Sequence, residues 1–147
     1  MNGKIQKDLC EVKDILKNNL EKLINSYEIK LIYIFGSYAK GTNGKDSDLD
    51  IAIFLEDNYN ALDKLALIGE FIDIFKRNDI DLVILNNANS VLKHQVIKYG
   101  KLVYMENEDI KVNFEVRVLK EYMDMEPFRR TQMKYIKEWA KKEAGDM

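Results

Sequence analysis

Three aspartates stand at alternate positions, Asp46, Asp48 and Asp50, where the polar stretch GTNGKDSDLD gives way to the apolar run IAIFL. Side chains on an extended strand alternate between faces, so Asp48 and Asp50 point the same way with Cα atoms roughly 6.6 Å apart. From there two carboxylates can converge on one cation, or on two cations about 3.5–4 Å apart. Without a cation, two such charges drawn to ~4 Å would repel by about 4 kcal/mol at an effective dielectric near 20. A strand built for stability alone would avoid this arrangement. Asp81 opens a second apolar run, DLVIL, as Asp50 opens DIAIF, so a neighbouring strand could place a third carboxylate beside the pair. Asp46 and Asp79 lie nearer to turns and read as solvated charges rather than ligands.

A complementary element precedes the aspartates. The run IKLIYIF ends at Gly36-Ser37. A glycine directly after a buried strand lets the backbone approach a ligand closely. Ser37 then offers a hydroxyl and a backbone N–H at the start of a short helix, where phosphate is favoured. A strand, a Gly-Ser phosphate cradle and metal-binding aspartates on the next strand together suit a nucleoside triphosphate. Other chemistries are removed by composition. His94 is the single histidine, so a multi-histidine zinc site is impossible and a Ser-His-Asp triad would have to use that residue. It lies in VLKHQVIKYG and reads as an exposed or interfacial side chain. A metal here is expected to be held by oxygen, which favours Mg²⁺ or Mn²⁺.

The elements that must position these residues are legible from periodicity. Residues 4–25 carry Ile5, Leu9, Val12, Leu16, Leu20 and Leu23 at helical spacing. Residues 29–35 are β-branched and aromatic and read as a strand. SYAKGTNGKDS reads as a helical turn and a loop, with Tyr38 packed against the loop, and DLDIAIFL as a second strand. Residues 60–76 are expected to be helical, with Leu62, Leu65, Ala66, Ile68, Ile72 and Phe75 on the buried side. DIDLVILN (79–86) reads as a third strand, 88–99 as a helix closed by Gly100, and KLVYM as a fourth strand. From Asp109 a helical pattern runs to the end, with Phe114, Val118 and Tyr122 on one stripe and Leu119 and Met123 beside them. Pro127 should kink or divide it. The whole reads as one α/β domain with a helical tail.

Bulk properties agree with this picture. The 147 residues suit one domain, and 46% hydrophobic with 33% charged residues is a globular balance. No apolar stretch approaches the ~18 residues that span a bilayer. The N-terminal MNGKIQKDLCEVKD mixes charges throughout, so no signal peptide is expected. Cys10 is the single cysteine, which excludes an intrachain disulfide framework and suits a reducing cytoplasm. A formal net charge of −2 does not advertise a nucleic-acid polymer as partner. The basic residues from Arg129 through Arg130, Lys134, Lys137, Lys141 and Lys142 read as the solvated face of a helix, with a docking surface as the alternative.

Gly36-Ser37, ten intervening residues, then Asp48-Leu49-Asp50 resembles the signature of the polymerase-β-like nucleotidyltransferase superfamily, and Asp81 falls where that superfamily carries its third carboxylate. The resemblance implies an α/β (α+β) fold, a small mixed sheet flanked by helices. It also implies two-metal transfer: Asp48 and Asp50 hold Mg²⁺ on the triphosphate, and Asp81 shares a metal and helps deprotonate the attacking hydroxyl. Gly36, Ser37, Lys40 and Ser47 are then the expected nucleotide-binding residues. At 147 residues there is no room for the added domains of nucleic-acid polymerases. GSYAKGTNGKDSDLDIAI instead looks like a minimal nucleotidyltransferase, or MNT domain.

The stretch YGKLVYMENEDIKVNFEVRVLKEYMDMEPFRR resembles the C-terminal region of MntA-type adenylyltransferase antitoxins, which pair with a HEPN-domain ribonuclease toxin in type VII systems. That resemblance implies transfer of AMP from ATP to a tyrosine hydroxyl of the toxin. It divides the chain into a core at 1–106 and a helical tail at 107–147 that packs on the core or the partner. Members often have arginine where this chain has Lys40, and lysine keeps the charge but loses the planar fork. Two alternatives stand beside this reading: an aminoglycoside-type small-molecule nucleotidyltransferase, and a non-catalytic antitoxin that acts by binding alone.

Overall fold

The computed structural model describes residues 6–56 and 59–145. The first helix, α1 (Leu9–Tyr27), begins where the Asp8 carboxylate accepts from the Glu11 N–H at 3.1 Å, and Glu11 in turn accepts from Lys7 N–H at 2.8 Å. These reciprocal bonds satisfy amides that a helix start leaves unpaired. Residues 6–8 are therefore outside the helix, which corrects the start expected at residue 4; Ile5 lies outside the described residues. Val12, Leu16 and Leu23 bury the apolar stripe.

There follow β1 (Ile29–Phe35), the short α2 (Gly36–Lys40), β2 (Leu49–Leu55), α3 (Ala61–Phe75), β3 (Ile80–Ile84), a 3-10 turn at Leu85–Asn87, α4 (Ser90–Tyr99), β4 (Lys101–Met105), α5 (Glu108–Asp124) and α6 (Glu126–Gly145). The sheet order is β3-β2-β1-β4. β1 runs antiparallel to β2 and β4, while β2 and β3 are parallel. The register of β1 on β2 slips by one residue between Ile29 and Leu31. This bulge explains why Ile29, Ile32 and Ile34 share a face although 29 and 32 differ in parity.

The sheet is covered on both sides. Ile32, Ile34, Leu49, Ile51, Ile53, Leu82 and Ile84 pack against Leu16 of α1 and Leu67, Phe71 and Phe75 of α3. Leu31, Tyr33 and Ala52 face Val96 of α4 and Phe114 and Val118 of α5. The buried side of α3 corrects the sequence-based expectation. Leu62 and Leu65 are 74% and 64% exposed and Ala66 is exposed too; Phe75 is buried and Ile68 packs on the core as expected, and they are joined there by Leu67 and Phe71. Apolar residues occur around most of this helix, so more than one stripe fits a period of 3.6; the Asn60–Asp63 capping box sets the start, and the i, i+4, i+8 row of Leu67, Phe71 and Phe75 turns inward.

The C-terminal helices divide near Pro127, as its position leads one to expect. α5 stops at Asp124, and Pro127 sits in the first turn of α6, where its missing N–H is not needed. α6 exposes Phe128, Met133, Tyr135, Ile136 and Trp139. Among the described residues no helix is long and apolar enough to cross a membrane.

Candidate active site

The carboxylates meet at the end of the sheet where β2 and β3 begin. Parallel pairing sets Asp50 directly beside Asp81, and the next pair, Ile51 and Leu82, points into the core on the opposite face. Asp48 precedes β2 by one residue and is exposed; Leu49 between the two aspartates is fully buried and anchors them. Asp50 feels both neighbours. Its pKa is pushed up to about 6, first by desolvation, then by the charge of Asp81 and a carboxyl–carboxyl hydrogen bond with it, then by the charge of Asp48. This is what carboxylates sharing a site do when no cation separates them.

Gly36 meets Asp50 from the other side. Phe35 pairs with Asp50 across β1 and β2, so the chain turns into α2 immediately over that carboxylate. Gly36 has φ +68°, and a Cβ there would lie 2.0 Å from Asp50 Oδ2. Glycine is required on both counts, conformation and space. Ser37 follows, half-buried, in the first turn of α2, and Lys40 ends that helix, exposed. Ser47 closes a tight turn: its Oγ accepts from Gly44 N–H at 2.8 Å and its N–H donates to Gly44 O at 3.3 Å.

Among the described residues no three His, Cys, Asp or Glu side chains are already drawn into a closed metal cage. The donor set nevertheless fits a hard divalent cation: all-oxygen and acidic, with Asp50 pushed up to about 6 by burial first and then by the neighbouring charges of Asp81 and Asp48. His94 takes no part. It stacks on Tyr122 with ring centroids 3.7 Å apart, an interfacial side chain between α4 and α5. A concavity of about 990 Å³ beside it is lined by Tyr122, Met123, Arg130, Lys134 and Lys137, none of them a carboxylate of the site. Tyr38 is buried, its hydroxyl donating to Gln6 O at 2.9 Å, which is a packing role.

One residue escaped the sequence reading altogether. Arg77 is the only charged side chain buried among the described residues, and it grips Asp79. Asp79 is therefore an ion-pair partner and not merely solvated, and the guanidinium holds its carboxyl below the usual range. The visible signal was a cluster of charges, KRND, at the turn into an apolar strand. Its partners, Gln6, Tyr38 and Ser47, lie too far along the chain for local patterning to reveal them.

One end of a small mixed sheet with helices on both faces thus carries a left-handed glycine over one carboxylate and a second carboxylate in parallel register. Residues 18–109 match the family Polymerase beta, Nucleotidyltransferase, and the chain belongs to it. Within that family it is similar to the protein adenylyltransferases called MntA. That of Shewanella oneidensis is 31% identical over 121 residues, covering 81% of this chain and 86% of its own. That of Aphanizomenon flos-aquae is 28% identical over 141 residues, covering 90% and 94%. Among solved structures, a toxin–antitoxin crystal structure with AMP-PNP aligns at TM-score 0.71 and 30% identity over 82% of this chain and 97% of that one. A complex of tri-AMPylated Shewanella oneidensis HEPN toxin with its MNT antitoxin aligns at TM-score 0.67 and 26% identity, covering 84% and 98%.

Proposed function

We propose that this chain is an antitoxin that transfers AMP from ATP to a tyrosine hydroxyl of a cognate HEPN ribonuclease toxin, acting in the cytoplasm. The observation that carries the reading is the pairing of Asp50 with Asp81 directly beneath Gly36. Similarity to MntA adenylyltransferases and to a complex holding an AMPylated toxin supports the choice of acceptor.

Asp48 and Asp50 are the residues that would hold Mg²⁺ with the triphosphate, Asp81 sharing a second ion; when bound, such ions neutralise charge on the phosphates and on the attacking oxygen. Gly36 leaves room for the Asp50 carboxylate beneath the turn into α2, and Ser37 donates to the phosphate chain. Ser47 and Lys40 border the same loop and complete the polar wall. Asp81, exposed on β3, takes the proton of the acceptor hydroxyl. The tyrosine oxygen then bonds to the α-phosphorus, the bond from that phosphorus to the bridging oxygen breaks, and pyrophosphate leaves. An adenylylated tyrosine adds bulk and negative charge where RNA phosphate would bind. We assign residues 1–106 to the transferase core and 107–147 to the tail, with the exposed Phe128, Ile136 and Trp139 of α6 facing the toxin.

The test is to incubate the protein with ATP, Mg²⁺ and the HEPN protein encoded beside it, and to measure the partner's intact mass. Addition of AMP to the partner is the expected result. No addition there, with an aminoglycoside modified instead, overturns the choice of acceptor. Wild-type neutralisation by an Asp48→Ala/Asp50→Ala variant would favour binding alone.

A further inference from the structure

The guanidinium of Arg77 uses all five of its N–H donors. Nε and Nη2 donate to the two carboxylate oxygens of Asp79 at 2.5 and 2.6 Å. Nη2 also donates to the backbone carbonyl of Ser47 at 2.7 Å. Nη1 donates to the Tyr38 hydroxyl at 2.7 Å and to Gln6 Oε1 at 3.2 Å. The side chain is 3% exposed. Burying an ion pair is a poor route to stability, because an apolar side chain of the same volume commonly serves as well. The approach is also strained: Lys76, immediately before, ends α3 in the left-handed region at φ 56° and ψ 40°, which non-glycine residues rarely adopt.

The partners explain the placement. Ser47 immediately precedes Asp48. Asp79 lies two residues before Asp81, and its carbonyl accepts from the N–H of Leu49, between Asp48 and Asp50, at 2.9 Å. Tyr38 immediately follows Ser37. One planar group therefore ties together the three segments from which the carboxylates and the phosphate cradle project. Backbone-directed bonds of this kind set where Asp48 stands relative to Asp81, since Asp48 itself lies outside the strand ladder. Lysine could reach one of these acceptors but could not span Ser47 O and the Asp79 carboxylate together.

We propose that Arg77 is a positioning residue for the transfer site, a clamp that holds the starts of β2 and β3 in the spacing at which Asp48, Asp50 and Asp81 can share divalent cations. The proposal rests on the nucleotidyltransferase reading of those carboxylates. It assigns Arg77 no contact with substrate. A purely structural arginine would affect melting temperature, whereas the clamp affects cation affinity in protein that remains folded.

The experiment compares wild type with Arg77→Met, Arg77→Lys and Asp79→Asn. Folding is read by circular dichroism and melting temperature. Mn²⁺ binding is titrated by electron paramagnetic resonance with AMP-PNP present, and kcat and the KM for ATP are measured separately. In folded Arg77→Met, Mn²⁺ affinity should fall about 10–100-fold, the range seen when groups that orient metal ligands are removed. The kcat should fall with it, the KM for ATP should move by a much smaller factor, and excess Mn²⁺ should restore part of the rate. Arg77→Lys should recover only part of the affinity. Folded Arg77→Met with wild-type Mn²⁺ affinity and kcat overturns the clamp. Should Arg77→Met fail to fold, Asp79→Asn decides, since it keeps the arginine: weaker Mn²⁺ binding supports the clamp and unchanged binding overturns it. A wild-type protein that binds no Mn²⁺ with AMP-PNP overturns the transfer site itself, an outcome distinct from either of these.

Discussion

Two charge clusters sit a few residues apart at the same end of the sheet, and they are built on opposite terms. At Arg77 and Asp79, opposite charges meet in a two-bond fork and every guanidinium donor has an acceptor. At Asp50 and Asp81, like charges are forced side by side by strand register, with Asp48 adding a third, and burial together with these charges pushes the Asp50 pKa up to about 6. The fold resolves one cluster internally and leaves the other unresolved. The resolved cluster holds still the backbone from which the unresolved one projects. Local frustration beside such a satisfied network marks where the molecule expects something from outside.

Breaking the frustrated cluster should have the largest effect. Asp50→Asn is expected to reduce AMP transfer at least about a hundredfold, the loss that follows from several kcal/mol of transition-state charge stabilisation. Its melting temperature without divalent cations should match or exceed that of wild type, because a repulsion has been removed. An unaltered transfer rate would dissolve the contrast between the clusters. Gly36→Ala comes next. With φ at +68° and a Cβ placed 2.0 Å from Asp50 Oδ2, it should cost about 1–3 kcal/mol in urea unfolding, and reduce transfer as Asp50 is displaced.

The clusters should also tilt stability against pH in opposite directions. Asp50 is raised from 3.8 to about 6 in the folded protein. The fold binds its proton more tightly than the unfolded chain does, so this contribution is present below 3.8 and lost as pH rises toward 6. Asp79 is lowered from 3.8 by Arg77, so its contribution is present above 3.8 and lost as pH falls through the folded value. Metal-free melting scans should show wild type losing ground to Asp50→Asn as pH rises from about 4 to about 7, and losing its advantage over Asp79→Asn only as pH falls below about 4. Parallel curves would remove the distinction. The smallest effect is expected at Lys40, exposed at the end of α2. Lys40→Ala should raise the KM for ATP less than about fivefold, as for a solvent-screened contact near 1 kcal/mol, and added salt should shrink the difference.

Alternation and turn residues announced all four strands, and the Gly-Ser break with the DLD triplet announced the frustrated cluster, because those features are local. Two others were not local. The inward face of α3 depends on which of several apolar stripes meets the sheet, and Leu67, Phe71 and Phe75 win through tertiary packing that Leu62 and Leu65 never reach. Arg77 takes its partners from residues 6, 38, 47 and 79, a convergence no window of sequence displays. Its own burial was hidden for the same reason, since an arginine among KRND looks like a wet turn until the other three segments close around it.

The parallel run of β2 and β3 also places a demand on α3. A hairpin would have returned the chain at the far end of β2 and left Asp81 a full strand away from Asp50. Instead the chain must travel back along the sheet before starting β3, and α3 is the return path. Its 15 residues make a helix about 22 Å long at 1.5 Å per residue, and the seven residues of β2 span about 23 Å at 3.3 Å each. The two lengths match. α3 is thus a ruler as well as a wall of the core: it brings β3 to the same starting line as β2, and so it brings the third carboxylate level with the other two.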